Sequence, residues 1–183
     1  MKIAIVGAHG TGKTTIVHEL FSLLKKKGFN ANITPEAARS SPFLLAGERC
    51  PEGQMDIFAS QIENEMKCQR GHNILVSDRS ILDSLMYTKL FFPEQKELIK
   101  AMESFAKYFM NSYDCIFKTT LLYNPSEIDD PLRPKDEKLQ READRILNET
   151  LKEFYPNFIE IPAGVSAVEF IFSKLNFAEM GGK

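Results

Sequence analysis

The sequence predicts an α/β fold in three layers, a five-stranded and mostly parallel sheet covered by helices on both faces, with a helical lid. Three observations lead there. Short apolar or β-branched runs alternate with segments of helical period, which is how a chain builds parallel strands joined by crossover helices. A glycine-rich turn stands directly between the first run and the first helical segment. The chain has 183 residues, 43% of them hydrophobic and 14 of them Phe, enough for one substantial core, and this length favours a single domain, residues 1–183, over two.

Taken in order, Lys2–Val6 is a first strand, apolar beyond Lys2 as in a strand buried on both faces. Thr14–Lys27 follows as a helix. Its Ile16, Val17, Leu20, Leu23 and Leu24 form one stripe, Lys25, Lys26 and Lys27 suit the negative end of its dipole, and Gly28 stands where a helix stops. Asn30–Thr34 is the second strand, Gln54–Gln69 a helix and Asn73–Ser77 the third strand. Pro93 separates the helices Ser80–Phe91 and Glu94–Asn111. Asp114–Thr119 is the fourth strand, Asn157–Ile161 the fifth, and Val165–Leu175 the last helix. Between the last two strands the character changes. Pro125, Pro131 and Pro134 punctuate a polar loop, and a charged helix from about Lys135 to Tyr155 follows. Together they form the expected lid, about residues 123–155.

Composition narrows the function. A net charge of -2 supplies no global positive field for nucleic acid, leaving at most a short groove. Cys50, Cys68 and Cys115 are odd in number and widely spaced, which argues against both a disulfide framework and a zinc site. No apolar run approaches the ~20 residues of a membrane span, and the chain opens on a strand rather than a leader. The expectation is a soluble, cytoplasmic protein without a membrane partner. The segments Phe91-Phe92 and Phe105–Phe109 are read as core, with a homodimer face as the alternative.

The turn after the first strand reads Gly7-Ala8-His9-Gly10-Thr11-Gly12-Lys13-Thr14, the Walker A pattern in its required strand, loop and helix context. Glycines let backbone N–H groups curl around a polyphosphate, and the next helix turns its positive end toward it. ATP and Mg²⁺ are the cofactors this implies. Gly7, His9, Gly10, Thr11, Gly12, Lys13, Thr14 and Thr15 would line the nucleotide, with Lys13 a point charge on the outer phosphates, Thr14 a metal ligand and His9 a spacer. A dinucleotide fingerprint fits worse, because the order Gly-x-Gly-x-x-Gly is absent. Ala163, in the small-residue loop after the fifth strand, would lie against the adenine.

In an open parallel sheet, ligands gather beyond the carboxyl ends of the strands. After the second strand come Glu36 and Arg39, either a carboxylate and a guanidinium beside the phosphate loop or a helix start with a surface partner. After the third come Asp78, Arg79 and Ser80. Asp78 would hold the metal or its water and Arg79 would neutralise charge on the transferring phosphoryl group, with a helix cap as the alternative. In the lid, Arg133, Arg141 and Arg145 would close over phosphates or else form a solvated face with Glu137, Glu142 and Glu149. Arg133 is the favoured one. His18 and His72 have no partners at metal-ligand spacing.

Together, Gly-x-x-x-x-Gly-Lys-Thr at 7–14, Pro-Glu-Ala-Ala-Arg at 35–39 and Asp-Arg-Ser-x-x-Asp-x-x-x-Tyr at 78–87 resemble a family of P-loop proteins. It contains the kinase domain of bacterial nicotinamide-riboside kinases and is related more distantly to deoxynucleoside kinases. The resemblance covers nearly the whole chain and implies a three-layer P-loop NTPase fold. It also implies that Glu36 acts as base toward an acceptor hydroxyl, that Asp78, Arg79 and Ser80 serve metal and phosphates, and that Gln61 reads a base. Arg39, Arg79 and Asp83 join Glu36 and Gln61 on the acceptor side. Two departures stand out: Ala37 follows Glu36 where Pro is common, and the third motif opens with Asp rather than Glu. The implied function is an ATP-dependent kinase acting on a small acceptor, a nucleoside or nucleotide. The rivals are a nucleotide-dependent switch or binding ATPase, and a kinase acting on a polynucleotide hydroxyl. A GTP-dependent switch lacks its Asn-Lys-x-Asp signature.

Overall fold

The computed structural model describes residues 1–121 and 136–177. In chain order they form β1 (Lys2–Val6), α1 (Lys13–Lys26), β2 (Ala31–Thr34), α2 (Pro42–Leu45), α3 (Pro51–Gln69), β3 (Ile74–Asp78) and α4 (Ile81–Phe91). Then come α5 (Lys96–Phe109), β4 (Cys115–Lys118), α6 (Glu137–Phe154), β5 (Ile159–Glu160) and α7 (Ala167–Lys174). Short 3₁₀ turns at Ala37–Ser40 and Met110–Ser112 complete the path. The five strands lie in the order β2-β3-β1-β4-β5 and every pair is parallel. This is the three-layer fold expected.

Strand β1 is central and buried along its whole length, so its alternate side chains serve two cores. Ala4 and Val6 pack with residues of α3, α4, α5 and α6, whereas Ile3 and Ile5 pack with Val17, Leu20 and Leu24 of α1 and Ile171 of α7. Helix α1 ends as its sequence foretells: Gly28 takes φ 86° and Phe29 N–H closes onto the carbonyl of Leu24 at 3.0 Å.

Lys2 alone among the β1 side chains is charged, and burial pulls its amine below the ordinary range, opposed by Glu65 and then Asp114. Glu65 of α3 pairs with it at 2.5 Å and also accepts hydrogen bonds from Tyr113, Ser77 and Gln61. A buried carboxylate so fully satisfied is structural.

Several expectations need correction. Asp78 lies within β3, opposite Ile5, rather than after it. The short helical pieces at 37–40 and 42–45 carry no helical period long enough to be read. The helical half of the expected lid is part of the core: Ala143, Leu147 and Leu151 recur every fourth residue, are fully buried, and belong to the cluster that includes α4. Arg141 and Arg145 occupy the exposed face, paired with Glu137 and with Glu142 and Glu149, respectively. Arg133 and the three prolines lie outside the described residues. Of the segment read as core, Phe109 is buried, but Phe105 and Tyr108 are 39% and 77% exposed.

Candidate active site

The loop between β1 and α1 carries the nucleotide signature, and its glycines are required where they stand. Gly7 has φ 154°, and a Cβ there would collide with Thr119 Oγ1 of the strand-end next door. Gly12 has φ 77° and begins α1 with no side chain capping the helix, which leaves its first N–H groups to an anion. Thr11 Oγ1 donates to the Ala8 carbonyl at 3.0 Å and lies 2.7 Å from Thr119 Oγ1, bracing the loop against β4. Lys13 is buried and folds back to donate to the Ala8 carbonyl at 2.6 Å. Burial, reinforced by the charge of Arg79 and resisted by Asp83, Asp78 and Glu36, pulls its amine down to about 7.

At the end of β3, Asp78 Oδ2 accepts a hydrogen bond from Thr14 Oγ1 at 2.7 Å. Asp78 Oδ1 is buried and has no hydrogen-bond partner among the described residues. A hydroxyl and a carboxylate oxygen in contact, one carboxylate oxygen still to be satisfied, form a hard-donor pair that suits Mg²⁺, an ion that takes its remaining ligands from water and phosphate. Among the described residues no three His, Cys, Asp or Glu side chains gather into a cage that would do more. Ser80, not Asp78, is the helix cap. Its hydroxyl accepts from Leu82 N–H and its own N–H donates to Asp83 Oδ2 at 2.9 Å, a capping box.

Between them, Arg79 takes φ 76°, the one non-glycine residue in the left-handed region among those described. Such a backbone costs about 1–3 kcal/mol and persists only where its surroundings over-determine it. Here the guanidinium is held by Glu36 at 2.8 Å and Asp83 at 3.4 Å. Burial works against its charge, but Glu36, with Tyr87, Asp83 and Asp78, outweighs that and holds it well above the ordinary range. Glu36 is also paired with Arg39 at 3.1 Å, so one carboxylate stands between two guanidiniums. Burial raises Asp83, opposed by Arg79, Lys13 and the N–H groups of Ser80 and Gly7.

Two cavities flank the phosphate loop. On one side Gly10, Thr11, Gly12 and Thr15 line a groove of about 530 Å³ with Glu19, Thr119, Thr120 and the segment after β5. Pro162 and Val165 form part of that wall, whereas Ala163 does not line it. On the other side, a cavity of about 90 Å³ is lined by His9, Glu36, Arg39, Arg79, Asp83 and Tyr87, together with Leu44, Arg49, Gln54, Ile57 and Phe91. The expected acceptor residues Glu36, Arg39, Arg79 and Asp83 therefore come together. Gln61 does not join them: its amide donates to Glu65 at 2.8 Å and Ser77 at 3.0 Å in the buried network. Gln54, one of three glutamines on that helix, lines the cavity instead. His9, read as a spacer, also lines the cavity, with its ring Nδ1 3.2 Å from the Tyr87 hydroxyl. Tyr87 and Phe91, stacked at 5.8 Å on successive turns of α4, were within reach of a sequence reading, because with Asp83 they repeat every fourth residue on one helix face.

The profile of a family described as AAA domain matches residues 2–167. No curated protein matches the chain. Among solved structures, deoxyadenosine kinase from M. mycoides with dCMP and a flexible dCDP bound as products is similar, with a TM-score of 0.67. The identity is 20% over 96% of this chain and 99% of that one. The NadR protein in complex with NAD and AMP-PNP is similar at a TM-score of 0.72 and 18% identity, over 94% of this chain and 47% of that one. This chain thus spans about half the length of NadR. Both likenesses are likenesses of fold, and they coincide with the resemblance carried by the motifs.

Proposed function

The chain belongs to the family of AAA domains, and within it we propose that this protein is an ATP-dependent kinase that moves the γ-phosphoryl group to a nucleoside or nucleotide. The observation that carries the reading is the division of the phosphate loop between two cavities. Gly10, Thr11 and Gly12 line the groove, and their neighbour His9 lines the cavity of carboxylates and guanidiniums. A donor in one and an acceptor in the other would meet at the loop. The nucleotide complexes of the two similar folds support the same reading.

Lys13 and the N–H groups of the loop would hold the donor phosphates, and Thr14 and Asp78 the Mg²⁺. The ion's part is to screen charge on the phosphate oxygens. Glu36, clamped between Arg39 and Arg79 in the wall of the acceptor cavity, takes the proton of the acceptor hydroxyl. The bond from phosphorus to the bridging oxygen breaks, a bond from phosphorus to the acceptor oxygen forms, and ADP leaves. Arg79 neutralises charge on the transferring group, and Arg133 is its proposed counterpart from the segment at about 123–155.

The test is release of ADP from ATP and Mg²⁺ across a panel of nucleosides, nucleoside monophosphates and nicotinamide riboside, with Lys13→Ala as the blank. Acceptor-dependent release is expected. Glu36→Gln should then lower turnover about 100-fold or more and leave the affinity for ATP within about threefold. Equal loss of both removes Glu36 from the role of base. Tight nucleotide binding that no acceptor stimulates would point to a switch or to a polynucleotide acceptor.

A further inference from the structure

His9 stands at a position of the phosphate loop whose side chain the nucleotide signature leaves open, and its surroundings are specific. Its carbonyl accepts a hydrogen bond from Gln140 Nε2 of α6 at 2.8 Å, which ties this point of the loop to that helix. The ring is turned away from the groove and buried, the residue being 2% exposed although it belongs to a loop. Its Nδ1 lies 3.2 Å from the Tyr87 hydroxyl, and the two ring centroids are 6.4 Å apart. Tyr87 in turn lies under the Arg79 guanidinium at 5.7 Å. One turn earlier on the same helix, Asp83 accepts from the N–H of Gly7 at 3.4 Å. The loop that would hold the donor is therefore tied to the acceptor wall twice, once through main chain at Gly7 and once through a side chain at His9.

From this geometry we infer that His9 is an acceptor-positioning residue: its ring, with Tyr87, touches the acceptor, and its main chain transmits that contact to the donor phosphates. The inference rests on the kinase reading and assigns His9 no proton transfer. Its physical content is a coupling. A residue that is wall to one ligand and loop to the other binds neither independently, so occupancy of the cavity changes the affinity of the loop by the same factor that the donor changes the cavity. A spacer would show no such linkage. A residue serving only the shape of the loop would weaken donor and acceptor alike.

The full chain contains three histidines, so the His9 ring resonances are assigned by their loss in His9→Asn. Addition of 2′-deoxyadenosine or nicotinamide riboside alone should shift them. In steady state, His9→Ala should raise the KM of the accepted compound about tenfold, and it should change the Kd of Mg·AMP-PNP alone by less than about twofold. His9→Asn should recover part of the loss. Calorimetry with Mg·AMP-PNP should give a different Kd with and without that compound in the wild type and the same Kd in His9→Ala. Tyr87→Phe, which keeps the ring and removes the hydroxyl, should reproduce the KM effect if His9→Ala does not fold.

An unchanged acceptor KM, or a Kd of Mg·AMP-PNP alone that rises in step with it, would overturn the inference and leave the kinase reading standing. If no compound in the panel is phosphorylated by the wild type, the kinase reading fails. The ring resonances then decide alone: a shift on adding nucleoside sustains the contact, and unmoved resonances remove it.

Discussion

Lys13 shows how far burial can prepare a side chain for a ligand. With its amine drawn down to about 7 from 10.5, the unliganded loop holds it mostly neutral at pH 8. Between about pH 7 and 10.5 the unfolded chain carries a proton that the folded chain lacks, so the stability from this group rises with pH through that window. A polyphosphate reverses the balance by favouring the charged amine. Binding of Mg·AMP-PNP at pH 8 should therefore take up about one proton, measured by calorimetry in buffers of different ionisation enthalpy, and Lys13→Met should abolish the uptake. Binding without uptake would mean that the free loop already holds a charged lysine. The residues of this loop, and Asp78 with Arg79, were legible in the sequence because each is contiguous with the turn that gives it meaning. Gln61 was not. Gln54 and Gln61 are seven residues apart and share a helix face, but lie about 10 Å apart along its axis. Only the way α3 crosses the sheet decides that Gln54 reaches the cavity and Gln61 the buried network around Glu65.

Helix α6 illustrates the same limit for longer pieces of chain. Charge dominates its composition, and the heavy polar face hides a narrow stripe of Ala143, Leu147 and Leu151 that is enough to bind it into the core. Buried Lys118, paired with Asp144 at 2.9 Å, and Gln140 on the His9 carbonyl pin the same helix to β4 and to the phosphate loop. Leu147→Ala should cost about 2–5 kcal/mol in urea unfolding. Arg145→Ala, on the exposed face, should leave the unfolding midpoint where it was, because ion pairs in open solvent contribute little. If the two variants proved equally destabilising, α6 would not be held as described. The strands were easier to read than this helix, because four of the five are short runs flanked by turn residues. The exception in extent is β5, only two residues long, whose apolar neighbour Ile161 belongs to the core and donates its N–H to the Lys118 carbonyl of β4.

For the molecule entire, the parallel order β2-β3-β1-β4-β5 sets the groove and the smaller cavity on the two sides of the loop that follows the central strand. The same order has a bearing on biosynthesis. The first of the five strands in the chain pairs Lys2 with Leu75 and Ile3 with Cys115, so it waits for the chain to grow past both before its edges are covered. Closing such long loops comes before the contacts that reward it. The phosphate loop, braced by Thr119 at the end of β4, takes its shape only when that wait is over. Mg·AMP-PNP should accordingly slow unfolding in stopped-flow urea jumps and leave the refolding rate unchanged, since a ligand that recognises only the finished site acts after the barrier to folding. Faster refolding with nucleotide would mean that the loop assembles ahead of the sheet. In a growing polypeptide, nucleotide is then a latch on completed molecules, and the apolar β1 must be kept from other chains by whatever attends it at the ribosome.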